Sequence, residues 1–251
     1  MRRHELLQQL HGLLSPRTYF EIGVSTGASM TLSRTRSLGV DPFFTIKRPL
    51  ECDLKLVRET SDEFFASADP FGHFDGAPFD LAFIDGMHLA EYALRDFINT
   101  ERHAHPASVI VLDDMLPRIT VEAGRDRRTA RSHGSWAGDV YKVVDSLRRL
   151  RPDLVCLELD TTPTGTVAIF LPDSSSTTLA AAYDDLVEAY VVPDPQDIPE
   201  EVIRRSRALD PAEFLRTPVW DGLRRLRELP VGDARPEVVR LLAEVGLATP
   251  R

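Results

Sequence analysis

The chain has 251 residues, with 30 basic against 39 acidic side chains and a net charge of −9. At 43% apolar and 27% charged residues it can bury a core of its own, which excludes wholesale disorder and any need for covalent staples. A sequence pI near 5.3 argues against nucleic acid as the main partner, because a phosphate backbone demands a clustered positive surface.

Leu6, Leu7, Leu10, Leu13 and Leu14 recur at helical spacing and predict an amphipathic first helix. Short apolar runs then alternate with helical stretches. Strands are expected at 18–22, 37–40, 54–58, 79–84, 108–112, 154–159 and 166–171, and helices at 28–36, 62–67, 89–103 and 140–150. Such alternation predicts a doubly wound, Rossmann-like α/β sheet of seven strands, mostly parallel. The turn chemistry of 160–165 makes the last strand antiparallel. The first unit therefore spans 1–173. Residues 174–251, broken by Pro193, Pro195, Pro199, Pro211, Pro218, Pro230 and Pro236, read as a helical C-terminal extension. Its leucines (Leu223, Leu226, Leu229, Leu241, Leu242) could cover the core or a second subunit, so a homo-oligomer stays open. No apolar run approaches the ~20 residues of a membrane span, and the N-terminal residues lack the apolar region of a secretory signal. The expectation is a cytoplasmic protein with no membrane partner, whose Cys52 and Cys156 are reduced core residues.

In open α/β sheets ligands bind beyond the carboxyl ends of the strands, where the strand order reverses. The first strand ends in Glu21, Gly23, Ser25 and Gly27. There Gly23 can take a positive φ and Gly27 admits close backbone approach. Asp41 ends the second strand and can accept hydrogen bonds from a ribose diol. Ser61 and Asp62 follow the third strand, either as a helix cap or as neighbours of a ligand. Strands four and five end in Asp85 and in Asp113–Asp114. Parallel neighbours lie ~4.8 Å apart, so these carboxylates converge and repel unless protons or a cation intervene. A hard divalent ion on oxygen ligands is one solution; helix capping is the plainer one. His88, three residues beyond Asp85, is either a general base or a backbone hydrogen-bonder. Between Pro117 and Trp136, Arg118, Arg125, Arg127, Arg128 and Arg131 face only Glu122 and Asp126. This reads as a basic lid suited to carboxylate or phosphate, or as a solvated helix. Asp139 is placed to cap the following helix, while Trp136 could stack on a substrate.

The motif formed by Glu21, Gly23 and Gly27 with Asp41 resembles class I S-adenosylmethionine-dependent methyltransferases over roughly residues 15–172. The stretch 83–88 together with 112–114 is similar to bacterial methyltransferase family 24 and to metal-dependent small-molecule and sugar O-methyltransferases. The resemblance implies S-adenosylmethionine held by Glu21, Gly23, Ser25, Gly27, Asp41, Ser61, Asp62 and Asp85. It implies Mg²⁺ on Asp85, Asp113 and Asp114, and catalysis by His88 and Asp85. The acceptor would be a small hydroxylated molecule, sugar-like or antibiotic-like. Aromatic acceptors of the catechol type do not carry over, because the segment after strand four differs. Two alternatives stand beside this reading. One is a nicotinamide-dependent oxidoreductase, although Ser25 replaces the glycine such loops use and Tyr141–Lys142 has the wrong spacing. The other is a non-catalytic module with the same fold.

Overall fold

Strands that are apolar at nearly every position can only lie inside a sheet covered on both faces. In the computed structural model, which describes residues 1–132 and 134–247, β1 (Thr18–Ile22) and β4 (Phe79–Ile84) are buried at every position. They form the centre of a seven-stranded sheet ordered β3-β2-β1-β4-β5-β7-β6. The other strands are β2 (Arg36–Val40), β3 (Leu54–Val57), β5 (Ala104–Asp113), β6 (Val155–Leu159) and β7 (Thr166–Phe170). Pairing is parallel from β3 through β5, whereas β7 runs antiparallel to both β5 and β6. The order reverses between β1 and β4. Their register aligns Val40, Ile22 and Ile84, so Asp41, Gly23 and Asp85 leave the sheet side by side.

Alternate side chains divide the interior into two cores. Phe20, Ile22, Ala82 and Ile84 face one; Tyr19, Leu81 and Phe83 face the other. The first core is covered by α2 (Ser61–Phe65), α3 (Ala90–Glu101), α5 (Tyr141–Leu150), α6 (Thr178–Ala181) and α7 (Tyr183–Tyr190). The second is covered by α1 (Arg3–Leu14), α9 (Pro211–Leu215), α10 (Trp220–Leu226) and α11 (Val231–Glu244). The basic segment contains α4 (Arg127–Ser132), and α8 (Glu200–Ile203) packs beside it through Ile203, near Tyr141. Helices from beyond residue 173 thus enter both cores: Leu186 and Tyr190 in one, Trp220, Leu223 and Leu242 in the other. Residues 248–251, assigned above to the tail, lie outside the described residues. Among the described residues no helix is long and apolar enough to cross a membrane.

Several expectations need correction. The helix expected over 28–36 is a single 3₁₀ turn, Met30–Leu32. Hydroxyl side chains there bond away from the helix, Ser29 to Glu21, Thr31 to the carbonyl of Pro49 and Ser33 to Ser37, and such competition weakens a short helix. Thr60, not Ser61 or Asp62, caps α2, in a reciprocal box with Glu63. Asp139 does not cap α5; its Oδ1 accepts from the backbone N–H of Ala90 at 2.9 Å and so opens α3 instead. Cys52 and Cys156 are free as expected but only partly buried.

Candidate active site

Gly23 is required where the turn after β1 runs against the end of its parallel neighbour β4. At φ +91, a Cβ on it would stand 1.8 Å from the carbonyl oxygen of Asp85. That close approach brings the turn after β1 against the end of β4. Asp41 Oδ2 accepts from the Ser25 N–H at 2.7 Å and Oδ1 from the Phe43 N–H at 2.6 Å, holding Ser25 at φ 51. Each carboxylate oxygen keeps room for a further donor. Glu21 is different: it is fully buried, receiving the Tyr19 hydroxyl at 2.7 Å and the Ser29 hydroxyl at 2.6 Å. Burial pushes its carboxyl up to about 8 against those two hydrogen bonds. Glu21 therefore braces the turn from below. Gly27, at φ +77, is buried under Ile46 and Leu50, and the N–H groups of Thr45 and Lys47 donate to the carbonyls of Ser25 and Thr26. Its freedom serves that packing. Ser61 hydrogen-bonds the buried carboxyl of Asp96, and Asp62 pairs with Arg95 at 2.5 Å.

On the other side of Gly23 the three expected carboxylates do meet. Asp113 and Asp114 are buried, and Asp85 is half-buried at the rim. Asp114 stands in the left-handed region at φ 61, a conformation Asp tolerates better than most side chains; its Oδ1 accepts from the Thr164 hydroxyl. The residue that sequence reasoning missed sits among them. Arg3, from the first turn of α1, donates to Asp113 Oδ2 and lies 3.7 Å from Asp85 and 3.8 Å from Asp114. Burial and the mutual repulsion of Asp114 and Asp85 push Asp113 upward, and the Arg3 charge opposes that.

His88 closes the group. Its ring stacks on Trp136 with centroids 4.8 Å apart. Nδ1 faces the Trp136 carbonyl at 2.8 Å and Nε2 faces Asp85 Oδ1 at 3.1 Å. Both partners only accept, so both ring nitrogens donate and the ring is an imidazolium. Burial would lower its pKa, but the Asp85 hydrogen bond and the Asp114 charge outweigh it and hold it near 9. The expected general base therefore carries its proton near neutral pH.

Asp85, His88 and Asp114 present ligand atoms within 4.8 Å of one another, and Asp114 Oδ2 is buried without a hydrogen bond. Taken alone, that donor set would suit a metal. With Arg3 in place it does not fit a divalent ion, because the guanidinium already bonds Asp113 and faces the Asp85 and Asp114 oxygens that an ion would need. Asp41 and Asp85 flank Gly23, and two large apolar side chains stand exposed beside them, Phe43 at 86% and Met87 at 52%.

The basic segment lies over this mouth and is largely paired. Arg118 holds Glu122, and Arg125 bridges Glu91 and Asp139 at 2.6 and 2.7 Å. The Arg127 guanidinium lies 5.4 Å above the Trp136 ring; Arg128 and Arg131 stay exposed. Tyr141 and Lys142 are engaged on the far side, with the Asp197 carbonyl and with Asp139 and Gln196, which removes them as a hydride-site pair. Asp96, pushed up to about 7 by burial, lines a small cleft with Gly86, Met87 and His88. An acid among the apolar positions of α3 was the available signal for it.

The model of methyltransferase family 24, described as a methyltransferase domain, matches residues 20–115. No curated protein matches. Among solved structures, the chain is similar to cofactor-bound Rv0187 from MTB (16% identity, 69% of this chain and 82% of that one, TM-score 0.48). It is also similar to an O-methyltransferase from Bacillus cereus in complex with SAH (14%, 67% and 80%, TM-score 0.47). A third is the O-methyltransferase TomG of Streptomyces achromogenes, involved in tomaymycin synthesis, in complex with SAM (18%, 68% and 80%, TM-score 0.46).

Proposed function

We propose, from the match of a methyltransferase domain model to residues 20–115, that the chain is a class I, S-adenosylmethionine-dependent methyltransferase that methylates a hydroxyl oxygen of a small acceptor of the sugar, glycan or antibiotic-metabolite kind. The observation that carries this reading is the Asp85–His88 pair at 3.1 Å, a proton acceptor and a charged donor beside the Gly23 turn. The cofactor would lie between Asp41 and Asp85, its ribose on Asp41, with the backbone of Gly23 and Ser25 beneath it. Phe43 and Met87 would form apolar walls, and Ser61 and Asp62 its outer border. Bound there, S-adenosylmethionine supplies a methyl group on a sulfonium, which leaves as a neutral thioether.

The chain's own contribution is placement and charge. Asp85, at the rim, takes the hydroxyl proton as the oxygen attacks. The charge of His88, whose two N–H groups stay on Asp85 and the Trp136 carbonyl, and the Arg3 guanidinium steady the negative charge that develops on that oxygen, so His88 orients Asp85 and stabilises instead of abstracting the proton. Exposed Arg128 and Arg131, with Arg127 held on Trp136, favour an acceptor bearing carboxylate or phosphate. On this reading the chain works in the cytoplasm, with neither nucleic acid nor membrane as partner.

Calorimetric titration with adenosylhomocysteine tests the proposal. One site per chain at micromolar affinity and no heat with NADH is the expected result. Saturable NADH binding, or no adenosylhomocysteine binding, would overturn it.

A further inference from the structure

Three carboxylates gathered in one corner need compensating charge. In oxygen-rich sites a divalent ion often supplies it; here the chain supplies it. One guanidinium nitrogen of Arg3 bonds Asp113 and lies 3.8 Å from Asp114, and its other terminal nitrogen is 3.7 Å from Asp85. The guanidinium thus faces all three acids at once. Its position is fixed from two sides. Leu6, Leu7 and Leu10 anchor α1 in the second core. The backbone around Arg3 is tied to the β6–β7 turn, where Thr162 N–H donates to the Met1 carbonyl at 2.9 Å and Arg3 N–H to the Thr162 carbonyl at 3.4 Å. That turn is held in place by Arg205, which donates at 2.7 Å to the carbonyls of both Pro163 and Leu116. Thr164, in the same turn, holds Asp114.

We propose that Arg3 is the resident cation of this site, a tethered guanidinium standing where a divalent ion would otherwise bind to Asp85, His88 and Asp114. An ion bonded to oxygens of Asp85 and Asp114 at roughly 2.1 Å would crowd the guanidinium nitrogens already facing those carboxylates, and like charges there repel. Asp114 Oδ2, buried without a hydrogen bond, lies 3.3 Å from His88 Nδ1 and 3.8 Å from Arg3, so it too is covered from within the chain. Any contact of Arg3 with an acceptor oxygen rests on the methyl-transfer reading; the exclusion of metal does not.

Mn²⁺ titrated into the full chain near neutral pH, followed by paramagnetic resonance and calorimetry, tests this. The wild-type chain and Arg3→Lys should show no saturable uptake at micromolar Mn²⁺. Arg3→Met should bind one ion at least about tenfold more tightly than wild type, and adding Asp114→Asn should abolish that gain. Micromolar binding to the wild-type chain that Asp114→Asn removes would overturn the proposal, and this arm needs no altered Arg3. A folded Arg3→Met chain with unchanged Mn²⁺ affinity would overturn it as well. Adenosylhomocysteine titrated into the same wild-type sample separates the two readings: its failure to bind removes methyl transfer and leaves the Mn²⁺ comparison standing.

Discussion

Gly138 and His88 meet backbone to backbone: a Cβ on Gly138, whose φ is +66, would stand 1.7 Å from the carbonyl oxygen of His88. The turn that carries Trp136 is therefore pressed onto the turn that carries His88, and the stacked rings follow from that approach. Gly138→Ala should cost about 2–4 kcal/mol through strain and displaced backbone. It should also reduce turnover beyond what the lost stability explains. Urea denaturation beside initial rates checks both; an alanine chain with wild-type stability would refute the packing argument.

His88 itself is expected to act in the transition state and not in cofactor binding. His88→Asn should lower kcat about 10²–10³-fold, the scale of one lost charge-stabilising donor. Adenosylhomocysteine affinity should stay within a factor of a few. Steady-state kinetics with calorimetry on the same variant decides between this and a binding role.

Asp139 is fully buried, and its two oxygens serve three donors: Ala90 N–H at 2.9 Å, Arg125 at 2.7 Å and Lys142 at 2.9 Å. Asp139→Asn sets an amide against two cations and should destabilise the fold by about 3 kcal/mol. Equilibrium unfolding measures this directly, and a change below the error of the method would mean the cations find other partners.

Glu21 makes stability depend on pH with a definite sign. Its folded pKa of about 8 lies above the 4.5 of an ordinary Glu, so the native state keeps a proton that the unfolded chain releases. The stabilisation is whole below about pH 4.5 and is lost as pH rises toward 8. Relative to Glu21→Gln, which keeps a hydrogen-bonding partner for Tyr19 and Ser29, the wild-type chain should lose about 3 kcal/mol between pH 5 and 8. Parallel pH profiles of the two chains would refute a buried, protonated Glu21.

Adenosylhomocysteine at a hundredfold excess over its Kd should raise the unfolding free energy by about 2.7 kcal/mol. Asp41→Asn, which removes the charge while keeping an acceptor for the Ser25 turn, should weaken binding about tenfold. Thermal shift across a ligand series reads out both effects.

Strand ends were legible in the sequence because period and chemistry change there together. Phe79–Ile84 is apolar except at Asp80 and is followed at once by Asp85, and β5 breaks in the same way at Asp113 and Asp114. An acid set directly before Gly86, or doubled as in Asp113 and Asp114, marks the point where a strand opens to solvent, whereas a single acid inside a strand does not, since Glu21 and Asp80 are buried within β1 and β4. The missing helix after Gly27 was not, since apolar spacing there suits a helix as well as a turn, and only the outward bonds of Ser29, Thr31 and Ser33 decide. Asp139 was assigned to the nearer helix because capping is read locally, whereas the donor it serves, Ala90, is distant in the chain.

By itself the sequence determined the α/β class, the strand ends and the convergence of Asp85, Asp113 and Asp114, because these follow from local periodicity and fixed strand spacing. Tertiary structure alone decided what neutralises those acids, and with it the protonation of His88. Arg3 lies 110 residues from Asp113 along the chain. Nothing in its helical neighbours distinguishes it from Arg2 until the packing of α1 and the β6–β7 turn selects which of the two side chains points inward.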